Sequence, residues 1–167
     1  MALEIKFTAI ERTGKAKELF DQAEGNRKNE AYEKAIAEYG EVIKLLPNDA
    51  ESYYLRGCCY FKPEQMEKRL DEFSKAISIE PQNGNLYFLR FRVYLELGET
   101  EKAIADGEKA AELQTDETQI ASRYYGVGSF IEELTGDKRT AAVYYKKSVE
   151  HGDCYGAAQR KLAEWGM

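Results

Sequence analysis

Residues 30–47 read EAYEKAIAEYGEVIKLLP. Ala35, Tyr39 and Val42 fall at i, i+4 and i+7, so they share one face of a helix, and Pro47 closes that helix. A step of 34 residues brings the same face back as Arg69, Phe73 and Ala76, closed by Pro81. A second step of 34 gives Ala103, Gly107 and Ala110, with Thr115 where the proline stood. A last step of 38 gives Ala141, Tyr145 and Ser148. Recurrence at a near-constant period marks a repeat architecture, in which no unit buries its apolar face alone and each stacks on the next.

The period divides the chain into repeats at about 16–49, 50–83, 84–117 and 116–153, each of two helices. In repeat one the first helix carries Leu19 and Ala23, and the link Asn29-Glu30-Ala31 lacks the usual turn glycine. Repeat two opens on Tyr53, Gly57 and Tyr60, where Gly57 allows close approach of the paired helix. Pro63 is expected to stop that helix. Arg69 stands where alanine is wanted, and a buried guanidinium without a partner is costly, so the side chain is expected to extend outward, the alternative being a functional cation at a helix crossing. In repeat three the sizes are exchanged: Phe91 holds the small slot of the first helix and Gly107 the aromatic slot of the second. The ring of the first helix then fills the space left by the glycine of the second, conserving core volume. The four extra residues of repeat four amount to about one helical turn, so the helical face is kept. Asp116 followed by Gln119 resembles a capping box and places that turn at the start of the first helix. Gly126, Gly128 and Ser129 make the same helix thin enough for a neighbouring backbone to come close.

The two ends differ from the repeats. In residues 1–14, Leu3, Ile5 and Phe7 alternate as in a strand, while Leu3, Phe7 and Ile10 would share a helical face. The segment is either a flap that caps repeat one or an internal ligand lying on the repeats. In 154–167, Ala158, Leu162 and Trp165 fall at i, i+4 and i+7, with Arg160, Lys161 and Glu164 facing away, as a capping helix requires.

Composition bounds the function. The chain has 167 residues, one domain's worth, which the array fills. A net charge of −6 opposes nucleic acid and anionic membranes as partners, because a sequence-independent binder needs a basic footprint. No apolar run is long enough to span a bilayer, and residues 1–14 lack the uninterrupted apolar core of a signal peptide, so a cytoplasmic setting is expected. Three cysteines is an odd number, with Cys58 and Cys59 adjacent, which favours free thiols. Catalytic chemistry is thin. The single histidine, His151, ends a helix whose C-terminus accounts for it, no cysteine pair has zinc-ligand spacing, and no glycine-rich phosphate loop follows a strand. The many carboxylates are assigned to solvated helical faces with i, i+4 partners such as Glu30 and Lys34. No enzyme, metal site or cofactor is expected.

With its period of 34, two helices per unit and the large-small-Tyr order of Tyr53, Gly57 and Tyr60, the chain resembles the tetratricopeptide repeat family over residues 15–153, with 154–167 as cap. The resemblance implies an all-α fold, an α-α superhelix or tetratricopeptide-type solenoid of about four helix pairs plus a C-terminal capping helix. It also implies a concave groove, lined by the first helix of each pair, that receives a peptide or a partner's tail. The groove positions fall on Phe20, Glu24, Tyr54, Leu55, Cys58, Phe61, Phe88, Leu89, Arg92 and Leu95, continued by Arg123, Val127 and Phe130. One subset of the family binds acidic chaperone tails through a clamp of lysines and asparagines. Here those clamp positions fall on Phe20, Glu24, Leu55, Asn85 and Leu89, so the clamp does not carry over. The groove is mostly apolar with Arg92 and Arg123 supplying charge, which suits an apolar, partly acidic peptide or amphipathic helix. The expected function is a non-catalytic protein-protein interaction module, adaptor or chaperone-like. The alternative is a structural subunit acting through self-association as a homo-oligomer.

Overall fold

The recurrent face of Ala35, Tyr39 and Val42 is buried on a helix, α2 (Tyr32–Leu45), in the computed structural model, which describes residues 5–153 and 156–167. The other helices are α1 (Gly14–Lys28), α3 (Ala50–Cys59), α4 (Met66–Ile79), α5 (Gly84–Glu96), α6 (Thr100–Glu112), α7 (Glu117–Thr135), α8 (Lys138–Glu150) and α9 (Ala157–Glu164). The described residues contain no strand, so the fold is all-α: α1 to α8 make four consecutive pairs and α9 follows them. The chain divides into two compact units between Leu86 and Tyr87.

In the first unit α1 packs on α2, α2 on α3 and α3 on α4. Its core holds Ala23, Ala35, Tyr39, Leu55 and Cys59. A Cβ built on Gly57 would lie 2.8 Å from Phe73 Cε1, so the missing side chain is what lets α3 and α4 close on each other. Arg56 of α3 grips Glu72 of α4 through two parallel hydrogen bonds, Nε to Oε2 at 3.0 Å and Nη2 to Oε1 at 2.8 Å. The link of repeat one solves its lack of glycine by strain: Glu30 itself takes a positive φ of 60°. Glu30 therefore precedes α2 and is not part of the helical face on which a pair with Lys34 was expected. The first helix of repeat two also ends before its proline. Tyr60 is the C-cap of α3, and Pro63 instead opens a single 3-10 turn, Pro63–Gln65, leading into α4.

In the second unit α6 packs on α7, α7 on α8 and α8 on α9. The size exchange of repeat three is realised. Phe91 and Gly107 are both buried, and a Cβ on Gly107 would meet Phe91 Cδ2 at 3.2 Å and Val127 Cγ2 at 3.0 Å. Arg90 grips Asp106 as Arg56 grips Glu72, with Nε to Oδ2 at 2.7 Å and Nη2 to Oδ1 at 2.8 Å. The extra turn of repeat four lies in α7, whose 19 residues exceed every other helix. Asp116 caps it by accepting from the Gln119 backbone N–H at 3.0 Å. Gly128 brings the α8 backbone close: an added Cβ would lie 3.0 Å from the Ala141 carbonyl oxygen and from the Tyr145 ring. In α9, Ala158 and Leu162 are buried and Trp165 reaches the Tyr145 ring at 5.6 Å. Lys161 does not simply face away, as it donates to Glu132 at 3.0 Å. α9 begins at Ala157 with Gly156 as its N-cap, and Cys154 and Tyr155, where the capping helix was expected to start, lie outside the described residues.

Candidate peptide-binding site

The thirteen candidate groove residues divide between the units, six in the first and seven in the second. In the first unit, Phe20 of α1 meets Tyr39 edge-on at 5.9 Å between ring centroids. Tyr54 of α3 lies 6.1 Å from Phe73. Leu55 is a correction: it is buried in the core cluster, because the α3 face it occupies turns toward α1 and α2 rather than toward solvent. Cys58 is half-buried, and burial pushes its thiol above the ordinary value, so it is protonated at neutral pH and suits packing better than redox work. Phe61, past the end of α3, is exposed and pairs with Tyr32 of α2 at 4.6 Å between ring centroids. Glu24 is already engaged. Arg27 donates to both of its oxygens at 2.7 and 2.9 Å, and the buried Tyr39 hydroxyl donates to it as well. The Arg27 bonds lower the Glu24 pKa against the opposing effect of burial.

Arg69, on α4, is half-buried with its guanidinium 5.5 Å from the Phe73 ring, and its Nε has no hydrogen-bond partner among the described residues. The expected outward extension is thus only partial: the ring face, not water alone, receives the charge.

In the second unit the candidates from α5 and α7 come together around three rings. Phe88 and Phe91 stack at 5.4 Å, Phe130 meets Phe88 at 5.9 Å and Phe91 at 6.3 Å, both edge-on. Arg92 sits over Phe130 at 4.6 Å and Arg123 over Phe88 at 4.3 Å. Such stacking holds each guanidinium by its face. Burial lowers Arg123 to about 10, which leaves it cationic at neutral pH. Arg92 Nε is buried without a hydrogen bond among the described residues. Close approach of the helices is set by Gly126, where an added Cβ would lie 3.0 Å from Phe88 Cζ. Leu89 is half-buried beside this cluster on α5. Leu95 and Val127 are corrections: both are buried in the core beneath, Val127 against Gly107. The aromatic spacing alone could not separate these positions from exposed ones, since inner helices of this kind bury more than one stripe.

Three features escaped the sequence reading. The ion pairs Arg56–Glu72 and Arg90–Asp106 are 34 residues apart, so the period itself carried the signal. His151 caps α8 but also holds Glu117 at 2.6 Å and stacks on Tyr124 at 5.6 Å. The third is the anchoring of residues 5–13 on the first unit, described below. No helix among the described residues is long and apolar enough to cross a membrane.

Comparison with known proteins places the repeats. A TPR repeat model matches residues 27–64, and tetratricopeptide repeat models match residues 50–83 and 72–105. No curated protein sequence matches the chain significantly. Among solved structures, that of MamA is similar over 81% of this chain and 77% of its own, with a TM-score of 0.67 and 24% identity. MamA residues 41 to the end from Desulfovibrio magneticus RS-1 match over 81% of this chain and 75% of theirs, with a TM-score of 0.66 and 23% identity. The first TPR of Spaghetti (RPAP3), bound to the HSP90 peptide SRMEEVD, matches over 69% of this chain and 91% of its own, with a TM-score of 0.59 and 19% identity. At these identities the likeness is one of fold.

Proposed function

We propose, from the premise that this chain is a tetratricopeptide repeat protein, that it is a non-catalytic interaction module whose second unit takes an apolar, partly acidic peptide or helix between α5 and α7. The observation that carries the reading is the pair of arginines stacked on joined aromatic rings, Arg92 on Phe130 and Arg123 on Phe88. Aromatic rings and arginine are the residue types that anchor interfaces, and partial burial strengthens both terms by excluding water. The apolar part of the ligand would lie on Phe88, Leu89 and Phe130, and a carboxylate would be drawn by the positive charge of the two arginines. The RPAP3 repeat is a module seen with an acidic peptide in place. Its example supports peptide capture by this fold, but the lysine-asparagine clamp has no counterpart here, since Glu24 is held by Arg27 and Leu55 lies in the core.

The test is affinity capture followed by mass spectrometry with wild type and the double charge swap Arg92→Glu/Arg123→Glu. A charge-assisted contact contributes about 1.5–3 kcal/mol, so loss of both should weaken capture about tenfold or more. Partners lost in the variant should share a segment mixing apolar and acidic residues. An unchanged set of partners, captured by a variant whose melting curve matches wild type, would overturn the reading.

A further inference from the structure

Residues 5–13 form neither the strand nor the helix that their pattern allowed, yet they are held along the first unit at several points. The Lys6 carbonyl accepts from Asn83 Nδ2 at 2.9 Å, and the Thr8 N–H donates to Glu80 Oε1 at 2.7 Å. Phe7 lies 5.3 Å from the Tyr54 ring. Arg12 stacks over Phe20 at 3.8 Å and donates to both oxygens of Asp49 at 2.6 Å and to Glu51 at 2.7 Å. Burial opposes the charge on Arg12, but the bonds to Asp49 and Glu51 outweigh it and raise its pKa. The segment thus covers Phe20 and Tyr54, two of the candidate binding residues.

We infer that this face of the first unit is a docking site for an extended partner segment carrying an aromatic residue and, five positions later, an arginine, and that residues 5–13 occupy it in cis. The chemistry of the occupant follows from Asp49. Its side chain is 1% exposed and caps α3, accepting from the Ser52 hydroxyl at 2.7 Å. A carboxylate so buried is costly without a cation, so a segment lacking arginine cannot replace residues 5–13 without leaving that charge unpaired. Glu51 and Glu80 add to the negative face that a basic segment complements. The aromatic requirement comes from Tyr54, which Phe7 covers. The joint is Gly14, whose φ of +50° favours glycine and which has open space around its Cβ position. An occupant tethered this closely competes at an effective concentration of about millimolar or above, so the free site is a minor state in the intact chain. This proposal is independent of the arginine cluster in the second unit.

The probe is a fluorescent peptide of residues 5–13, IKFTAIERT, titrated by anisotropy into the full chain and into the full-length variant Phe7→Ser/Arg12→Gln. The variant should bind the peptide at least tenfold more tightly than wild type does, and a peptide carrying Arg12→Gln should bind neither. Equal affinity for both proteins, or binding to neither, would overturn the inference. Should the double variant fail to fold because Asp49 is left unpaired, Phe7→Ser alone keeps the ion pair. It should still gain at least threefold, and no gain would count against the site. Sedimentation of wild type decides between partner and copy: a dimer abolished by the same substitutions would overturn the reading in favour of exchange between two chains.

Discussion

In repeat two the first helix carries the glycine and the second the ring, Gly57 against Phe73; in repeat three the ring comes from the first helix and the glycine from the second, Phe91 against Gly107. The ion pair does not change sides: Arg56–Glu72 and Arg90–Asp106 run from first to second helix in both. Ala23 with Tyr39 in repeat one and Gly128 with Tyr145 in repeat four follow the sense of repeat two, so repeat three is the exception among them. What the fold conserves is the volume between paired helices and the polar clasp that aligns them. Which helix supplies the ring is free. The exchange has a consequence for the surface. Phe91, rooted in α5, joins Phe88 and Phe130 and forms the floor on which Arg92 and Arg123 stack. In repeat two the ring belongs to α4, packs on Gly57 and stacks on Tyr54 of the first helix at 6.1 Å.

The largest effect that could break this comparison is Gly107→Phe, which puts a second ring into space that Phe91 already fills. Overpacking of that size should cost about 3 kcal/mol or more, a fall in melting temperature of roughly 6–12 °C for a chain of this length. Combining it with Phe91→Gly restores the order of repeat two and should recover part of the loss. Strict additivity of the two substitutions in thermal melts would show that the residues do not share one space.

A smaller difference separates the two glycines themselves. Alanine gains about 1 kcal/mol of helix propensity at either site. At Gly57 the new methyl would lie 2.8 Å from the Phe73 ring and 3.1 Å from Glu72 Cβ, whereas at Gly107 the nearest atom is a Val127 methyl at 3.0 Å. Gly57→Ala should therefore lose about 1 kcal/mol net, with Gly107→Ala near zero. If urea melts put Gly107→Ala below Gly57→Ala, the tighter contact is in repeat three and the comparison is inverted.

Much of this was legible because a repeat writes each structural demand several times. The buried face of Ala35, Tyr39 and Val42 recurs in the same register in α4, α6 and α8, so period and helix pairing could be read directly. The exchange at Phe91 and Gly107 was readable for the same reason, as a departure from a template. The site was less legible. Leu55, Leu95 and Val127 have the same apolar character as Phe88 and Phe130, and only the rotation of each helix decides which of them is buried. Residues 5–13 lie outside the period altogether. Nothing in the spacing could tie Arg12 to Asp49, because that contact is fixed by tertiary geometry across 37 residues.

The links between paired helices give the finest test. In repeat three Gly98 takes φ of 76° while the Glu99 N–H donates to the Tyr94 carbonyl at 2.8 Å, closing the helix end. In repeat one the same bond runs from the Ala31 N–H to the Asn26 carbonyl at 2.8 Å, but the residue at the left-handed position is Glu30. The backbone demand is identical and only the residue differs. A left-handed conformation costs an L residue about 1 kcal/mol or more, and glycine returns part of that gain through its larger entropy when unfolded. Glu30→Gly should thus stabilise the chain by about 0.5 kcal/mol, while Gly98→Ala should lose about 1 kcal/mol. These opposite signs at equivalent positions, read as melting temperatures that rise for one and fall for the other, follow from the backbone alone. A Glu30→Gly variant that melts below wild type would mean that the Glu30 side chain contributes more than its strain costs.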